Sequence, residues 1–168
     1  KRSKVLAMSV TSDIKYIGVN DYEIELFEGL YDVPNGMSYN SYVILDEKIA
    51  ILDTVDEDFT YQWIFNLQKV LEGRKPDYLI VQHMEPDHSG SILDLIKEYP
   101  SITIVSSSKA FVMMKQFFNN EFEEQRRIVK EGDVLNLGNH KLSFIGASMV
   151  HWPEVIMTYD LSSKVLFS

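Results

Sequence analysis

Within six residues, His83-Met84-Glu85-Pro86-Asp87-His88, the chain presents four side chains that can each ligate a metal: His83, Glu85, Asp87 and His88. The segment directly follows Tyr78-Leu79-Ile80-Val81, a continuous apolar run of the kind expected of a strand buried on both faces. It therefore sits in a loop at that strand's C-terminal edge, where α/β proteins commonly place their sites. Pro86 keeps the segment from being a helix interior. Ser89-Gly90 then leads into a helix whose positive N-terminal end lies near the site. In extended backbone, residues two apart point the same way, so His83, Glu85 and Asp87 are expected to share a side while His88 leaves as the chain turns. So short a loop does not easily bring every group to one ion. Two ions about 3.5–4 Å apart can be served, with His83 and Glu85 at one and Asp87 and His88 at the other. The bland alternative is a polar surface loop that happens to hold two histidines and two acids; its place behind a buried strand favours the metal.

A third imidazole, His151, lies in Met149-Val150-His151-Trp152-Pro153-Glu154, between two strand-like stretches. Alone it reads equally well as a histidine packed beside Trp152; beside the first motif it is the further ligand such a site requires. Glu154 reads as a surface carboxylate, with the partner of a ligating imidazole as the alternative. His140, in Gly138-Asn139-His140, reads as a solvated hairpin-tip residue and is set aside. With no cysteine in the chain, disulfides, a thiolate nucleophile, a zinc finger and a cysteine-held iron–sulfur centre are excluded. Zinc hydrolases tend to use several imidazoles per ion; a carboxylate at Glu85 makes the site harder and more anionic, which favours iron. There is no Gly-rich phosphate loop and no Ser-His-Asp pattern.

The elements that must position these groups form an α/β pattern. Ile14–Val19, Glu23–Phe27, Ser38–Leu45 and Lys48–Leu52 read as strands, with a turn-rich loop at Asp32–Gly36. Tyr61–Leu71 has helical spacing and stops at Gly73. Asp56–Asp58 supply its cap. Ser91–Tyr99 and Ser108–Phe118 read as helices, with Met113-Met114 and Phe117-Phe118 as core. Ile102–Val105, Asp133–Leu137, Lys141–Ile145, Val155–Tyr159 and Val165–Phe167 read as strands, the last one buried.

The chain has 168 residues, 45% hydrophobic and 24% charged, which is enough for a core. Its net charge of −9 and its few basic clusters, Lys1–Lys4 and Arg126-Arg127, argue against nucleic acid. No apolar run approaches the roughly 20 residues of a membrane span, and Val5–Val10 is too short for a secretory h-region. A cytoplasmic protein is expected.

His83-x-Glu85-x-Asp87-His88 with the downstream His151 resembles the metallo-β-lactamase-like domain of flavodiiron proteins, also called A-type flavoproteins; zinc hydrolases of that superfamily carry His where Glu85 stands. Asn40-Ser41-Tyr42, Gln82–Ser91, His151-Trp152-Pro153-Glu154 with Tyr159-Asp160, and Val165–Ser168 extend the resemblance from about Ile14 onward. It implies an αββα sandwich, of which residues 1–168 would be the first part, incomplete at the C-terminus, with two mixed sheets flanked by helices. It implies that His83, Glu85 and His151 hold one iron and that Asp87 and His88 hold the other. A bridging Asp, a further His and a flavodoxin-like FMN domain would then fall after Ser168. The activity implied is reduction of dioxygen to water and/or nitric oxide to nitrous oxide at a non-haem diiron site fed by FMN, in the full-length protein rather than in this chain alone. The electron donor would be a rubredoxin or a flavin/NADH reductase, and the assembly a head-to-tail homodimer or tetramer. Two other readings stand beside it. One is a zinc hydrolase of the same fold, acting on a thioester, lactone or phosphodiester. The other is a non-catalytic binding module, against which the presence of all five ligands speaks.

Overall fold

The apolar runs in the middle of the chain are buried on both faces. The computed structural model describes residues 8–168; the basic Lys1–Lys4 cluster lies outside the described residues. In chain order the elements are β1 (Ile14–Tyr16), β2 (Val19–Asp21), β3 (Leu26–Phe27), β4 (Tyr31–Asp32), β5 (Met37–Tyr39), β6 (Tyr42–Ile44) and β7 (Ala50–Leu52). A 3-10 turn, Glu57–Phe59, precedes α1 (Thr60–Leu71), β8 (Tyr78–Ile80), α2 (Pro86–Ser89), α3 (Ile92–Glu98), β9 (Thr103–Ser106) and α4 (Ser108–Phe118). The remainder is β10 (Arg126–Ile128), β11 (Val134–Asn136), β12 (Lys141–Gly146), β13 (Ile156–Asp160) and β14 (Val165–Phe167).

The larger sheet has the order β1-β6-β7-β8-β9-β10. Strands β7 to β10 are parallel and β1, β6 and β7 pair antiparallel, so this sheet is mixed. The second sheet, β11-β12-β13-β14, is antiparallel throughout. Period-2 alternation divides the central strands between two cores. Ile51, Leu79 and Ile104 face Trp63, Leu67, Leu71, Ile92, Leu95, Phe111 and Met114 of the helices. Their neighbours Leu52, Ile80 and Val105 face Leu135, Leu142, Phe144, Ile156 and Phe167 of the second sheet. The result is the metallo-β-lactamase-like layering: helices, mixed sheet, second sheet. Among the described residues no helix is long and apolar enough to cross a membrane.

Local chemistry sets the helix ends. Asp56 accepts the Asp58 N–H at 3.0 Å and so caps the 3-10 turn, not α1 as expected, whose first residues follow Phe59 with no side-chain cap. Ser107 Oγ accepts the Ala110 N–H at 3.2 Å at the start of α4. Glu72, before the expected Gly73 stop, is the residue that turns left-handed (φ 50°) at the end of α1.

One strand was not anticipated and two expectations change. The Arg126-Arg127 cluster forms β10, at the parallel edge of the large sheet, where Arg126 pairs with Glu121 at 2.9 Å. Phe117 is half exposed, because α4 turns that face outward, while Met114 is buried. In β14 only Phe167 is buried and Leu166 is exposed, since an edge strand of a sheet covered on one side shows its other side to water.

Candidate metal centre

Strand β8 delivers the motif. Its ladder continues through Val81, whose N–H bonds Val105 O at 2.9 Å. Beyond it the chain stays extended, so that Met84 is sealed into the core and His83 and Glu85 come together, Nε2 to Oε2 at 2.9 Å. The shared side ends there. Pro86 opens the helical turn α2, with the Glu85 carbonyl accepting the His88 N–H at 2.9 Å. Asp87 and His88 therefore lie on a helical turn, and Asp87 leaves the extended register expected of it: Pro at the first helical position is preorganised for that turn. The turn is held close to the 3-10 turn by Gly90, where a Cβ would meet Glu57 N at 2.7 Å and Pro86 O at 2.8 Å.

His151 comes from the 147–155 loop between β12 and β13. Its Nε2 lies 3.2 Å from His83 Nε2 and 3.1 Å from Glu85 Oε2. His83, Glu85 and His151 thus converge, each offering an atom within 4.8 Å of the others. Asp87 and His88 form a neighbouring pair, Oδ2 to Nε2 at 3.7 Å, with the His88 ring 5.2 Å from that of His83. That separation is too long for a hydrogen bond, and Asp87 Oδ1 is buried with no partner.

Two residues were misjudged from sequence. Glu154 is fully buried, not a surface carboxylate: its Oε1 accepts the Met84 N–H at 2.9 Å and lies 2.6 Å from His83 Nδ1. His140 is buried too, not solvated. Its backbone N–H reaches Asp46 Oδ2 at 2.7 Å, and its ring nitrogens reach Asp160 at 2.7 Å and Asp13 at 3.3 Å. Asp46 precedes β7, so this cluster ties the two sheets together at the end away from the motif.

Asp53 and Glu28 went unnoticed. Asp53, at the end of β7, adopts a left-handed backbone (φ 56°) that Asp tolerates better than most residues. Its carboxylate accepts Gln82 N–H at 2.7 Å and Gln82 Nε2 at 3.2 Å, and holds His88 Nδ1 at 2.9 Å. Glu28, also left-handed (φ 53°), sits in the β3–β4 turn, where its carboxyl faces that of Glu85. Neither is marked in the sequence, since each is one acid among several and far from the motif.

The electrostatics follow from this packing. Burial opposes the charged form of His88, but Asp53, with Asp87 and Glu85 behind it, holds its pKa up at about 9. Burial pushes the Asp87 carboxyl up, against the opposing pull of His88. For Glu85 burial also acts upward, yet hydrogen bonds from Glu28 and His83 and the charges of His83 and His151 prevail, and its pKa is lowered. Glu28 is raised, chiefly by the same hydrogen bond to Glu85.

The donor set fits a cation. Facing a Glu154 carboxylate at 2.6 Å, His83 Nδ1 serves as the donor of that bond. In a neutral imidazole Nε2 is then a lone pair, aimed at Glu85 Oε2 and His151 Nε2. Lone-pair atoms gathered this closely repel unless a proton or a metal lies among them. Imidazole nitrogen and carboxylate oxygen bind such ions at about 2.0–2.2 Å, which spaces neighbouring ligands by roughly 3.3–3.5 Å in a tetrahedron. The observed 2.9–3.2 Å lies within a few tenths of that.

Comparison with known proteins places the family and the fold. Residues 37–168 match the family model described as ODP family beta lactamase. The anaerobic nitric oxide reductase flavorubredoxin of Vibrio vulnificus is 36% identical over 165 residues, covering 97% of this chain and 33% of that protein. The crystal structure of the flavodiiron protein from Giardia intestinalis superposes with a TM-score of 0.91 at 29% identity, over 100% of this chain and 41% of that one. Rubredoxin oxygen:oxidoreductase from Desulfovibrio gigas does so with a TM-score of 0.91 at 30% identity, over 96% and 40%. The chain spans about a third of the length of the curated relatives it matches.

Proposed function

Because this chain belongs to the ODP family of β-lactamase-like proteins, we propose that it carries the iron-binding part of an oxidoreductase that reduces dioxygen to water, nitric oxide to nitrous oxide, or both. One observation carries this reading: two imidazoles and one carboxylate, His83, His151 and Glu85, converge within 3.2 Å beside a second His/Asp pair. A carboxylate among imidazoles suits an ion that changes oxidation state, since its charge stabilises the more oxidised form. The names of the similar proteins, one for nitric oxide and one for oxygen, support both substrates equally.

In this reading His83, Glu85 and His151 hold the first iron and Asp87 and His88 contribute to the second. Two ferrous ions, when bound, supply two electrons at once and hold the substrate atoms close together. The rest is the work of the chain. Asp53 and Glu154 orient His88 and His83 through the nitrogens that face away from the metals. Met84, His83 and Glu85 close the inner side against water, while the exposed His151 side chain leaves the outer side open for small diatomic substrates. Trp152, edge-on to His83 at 5.0 Å between ring centroids, walls one flank. FMN in a further flavodoxin-like domain is the proposed electron source, fed by a rubredoxin or a flavin/NADH reductase.

The test is metal and flavin analysis of the full-length protein purified without oxygen, with its visible spectrum. About two irons and one flavin per subunit support the reading. Zinc without flavin overturns it and points to a hydrolase of the same fold.

A further inference from the structure

Apart from the His151 ring itself and the Ile156 N–H bond to Gln82 O at 3.0 Å where β13 begins, the His151 loop makes few hydrogen bonds to the motif. Its hydrogen bonds are mostly internal: Ala147 N to Val155 O at 3.0 Å, Met149 N to Trp152 O at 2.8 Å, Val150 N to Ala147 O at 3.0 Å and Ser148 Oγ to Pro153 O at 2.8 Å. Met149 and Val150 are exposed, and the His151 side chain is 66% exposed. A side chain so placed has only the His83 and Trp152 rings and Glu85 beside it to hold it 3.2 Å from His83. Trp152 packs edge-on to the His83 ring and, partly buried, against the helix-side core, but makes no directional bond to the motif.

Glu154 is the exception. It lies three residues after His151 on the same loop, yet is 1% exposed. A single oxygen, Oε1, accepts the Met84 N–H and the His83 Nδ1 proton, while its own backbone carbonyl accepts from Ser107 Oγ at 2.8 Å. Its other oxygen, Oε2, is buried with no hydrogen-bond partner. Leaving a buried carboxyl oxygen unpaired is costly, so the loop gives this side chain up to its two bonds on the motif. A carboxylate on the far nitrogen of a ligating imidazole fixes the tautomer and orients the ring.

We propose that Glu154 is a positioning residue that sets both histidines of the first ion at once: it holds His83 with its proton on Nδ1, and it pins the loop that carries His151 onto the motif. This rests on the metal reading above. The two histidines come from segments 68 residues apart, and one carboxylate makes their geometry a single condition. If the loop lifts, His83 loses its orienting partner in the same movement, so the ion loses two ligands together rather than one.

The experiment compares wild type, Glu154→Ala and Glu154→Gln in the full-length protein. Co2+ alone is titrated against a competing chelator, and amide hydrogen exchange is followed in residues 147–155 of the metal-free protein. Glu154→Ala is expected to weaken Co2+ binding by about 10–100-fold and to speed exchange throughout the loop. Glu154→Gln keeps an oxygen for both hydrogen bonds but not the charge; it should keep the loop protected and lose a smaller factor of affinity. A Glu154→Ala protein that binds Co2+ like wild type, or that loses affinity while its loop exchanges as before, overturns the coupling. Loss of affinity in Glu154→Gln as large as in Glu154→Ala overturns the pinning half. Wild type that takes up no Co2+ overturns the metal centre itself, a result distinct from all of these.

Discussion

Removing the Asp53 carboxylate should damage stability and metal binding by separable amounts. The side chain is buried and accepts from Gln82 N–H at 2.7 Å and Gln82 Nε2 at 3.2 Å, besides holding His88 Nδ1 at 2.9 Å. In Asp53→Ala the Gln82 amide, itself buried, is left without an acceptor, at about 1–3 kcal/mol. Ala also tolerates the φ of 56° at this position less well than Asp, which brings the expected loss to about 2–4 kcal/mol. Asp53→Asn is the informative partner. One oxygen can still accept Gln82 N–H, so stability should fall by only about 1 kcal/mol. Its NH2 group, however, replaces the acceptor facing His88 Nδ1. The imidazole must then present a lone pair to that amide and carry its proton on Nε2, the atom proposed to face the metal. Metal affinity at the second position should fall about 10–100-fold, or roughly 1.4–2.7 kcal/mol. Urea unfolding of the metal-free protein reads the first quantity, and Co2+ titration of the two positions reads the second. An Asp53→Asn protein with normal uptake at both positions would refute the orienting role, and an Asp53→Ala protein as stable as wild type would refute the hydrogen-bond accounting.

Three further outcomes are expected. The His140 cluster gives stability a pH dependence: burial opposes its charged form, but Asp160, Asp13 and Asp46 hold its pKa above the ordinary value, so its contribution is full below about pH 6.5 and fades as pH rises through the folded-state value. Asp160 and Asp46 are lowered despite burial, by hydrogen bonds and the facing imidazole, so their contribution is present above about pH 4 and fades as pH falls through their folded values. Urea midpoints between pH 5 and 9 should decline on the alkaline side in wild type and stay flatter in His140→Phe; parallel curves would contradict the assignment. Glu85→His exchanges the carboxylate for a third imidazole and should move metal preference from iron toward zinc, read by metal content after exposure to equal amounts of both; unchanged iron preference would count against the role given to this carboxylate. Trp63→Phe removes the Nε1 bond to Ser41 Oγ at 2.9 Å in a fully buried site, and should cost about 1–3 kcal/mol in urea unfolding while leaving Co2+ uptake unchanged.

The sequence by itself determined what depends on near neighbours. A run such as Tyr78–Ile80 with no polar side to show had to be a central strand, and period-2 geometry brought His83 and Glu85 to one side of its extension. The span of α4, Ser108–Phe118, was legible from its spacing, while the capping role of Ser107 was not. That same local reading failed at Asp87, where proline started a helical turn instead of prolonging the strand. What only the tertiary structure decided is which polar residues are buried and what they serve. Glu154 meets His83 across 71 positions and His88 meets Asp53 across 35, while His140 reaches Asp160 across 20 and Asp13 across 127. A hairpin tip reads as solvated until a second sheet closes over it, and a loop glutamate reads as surface until its loop folds inward. The reason is physical: periodicity follows from bonded geometry within a few residues, whereas the burial of a charge is permitted only by the donors and acceptors that distant segments bring to it.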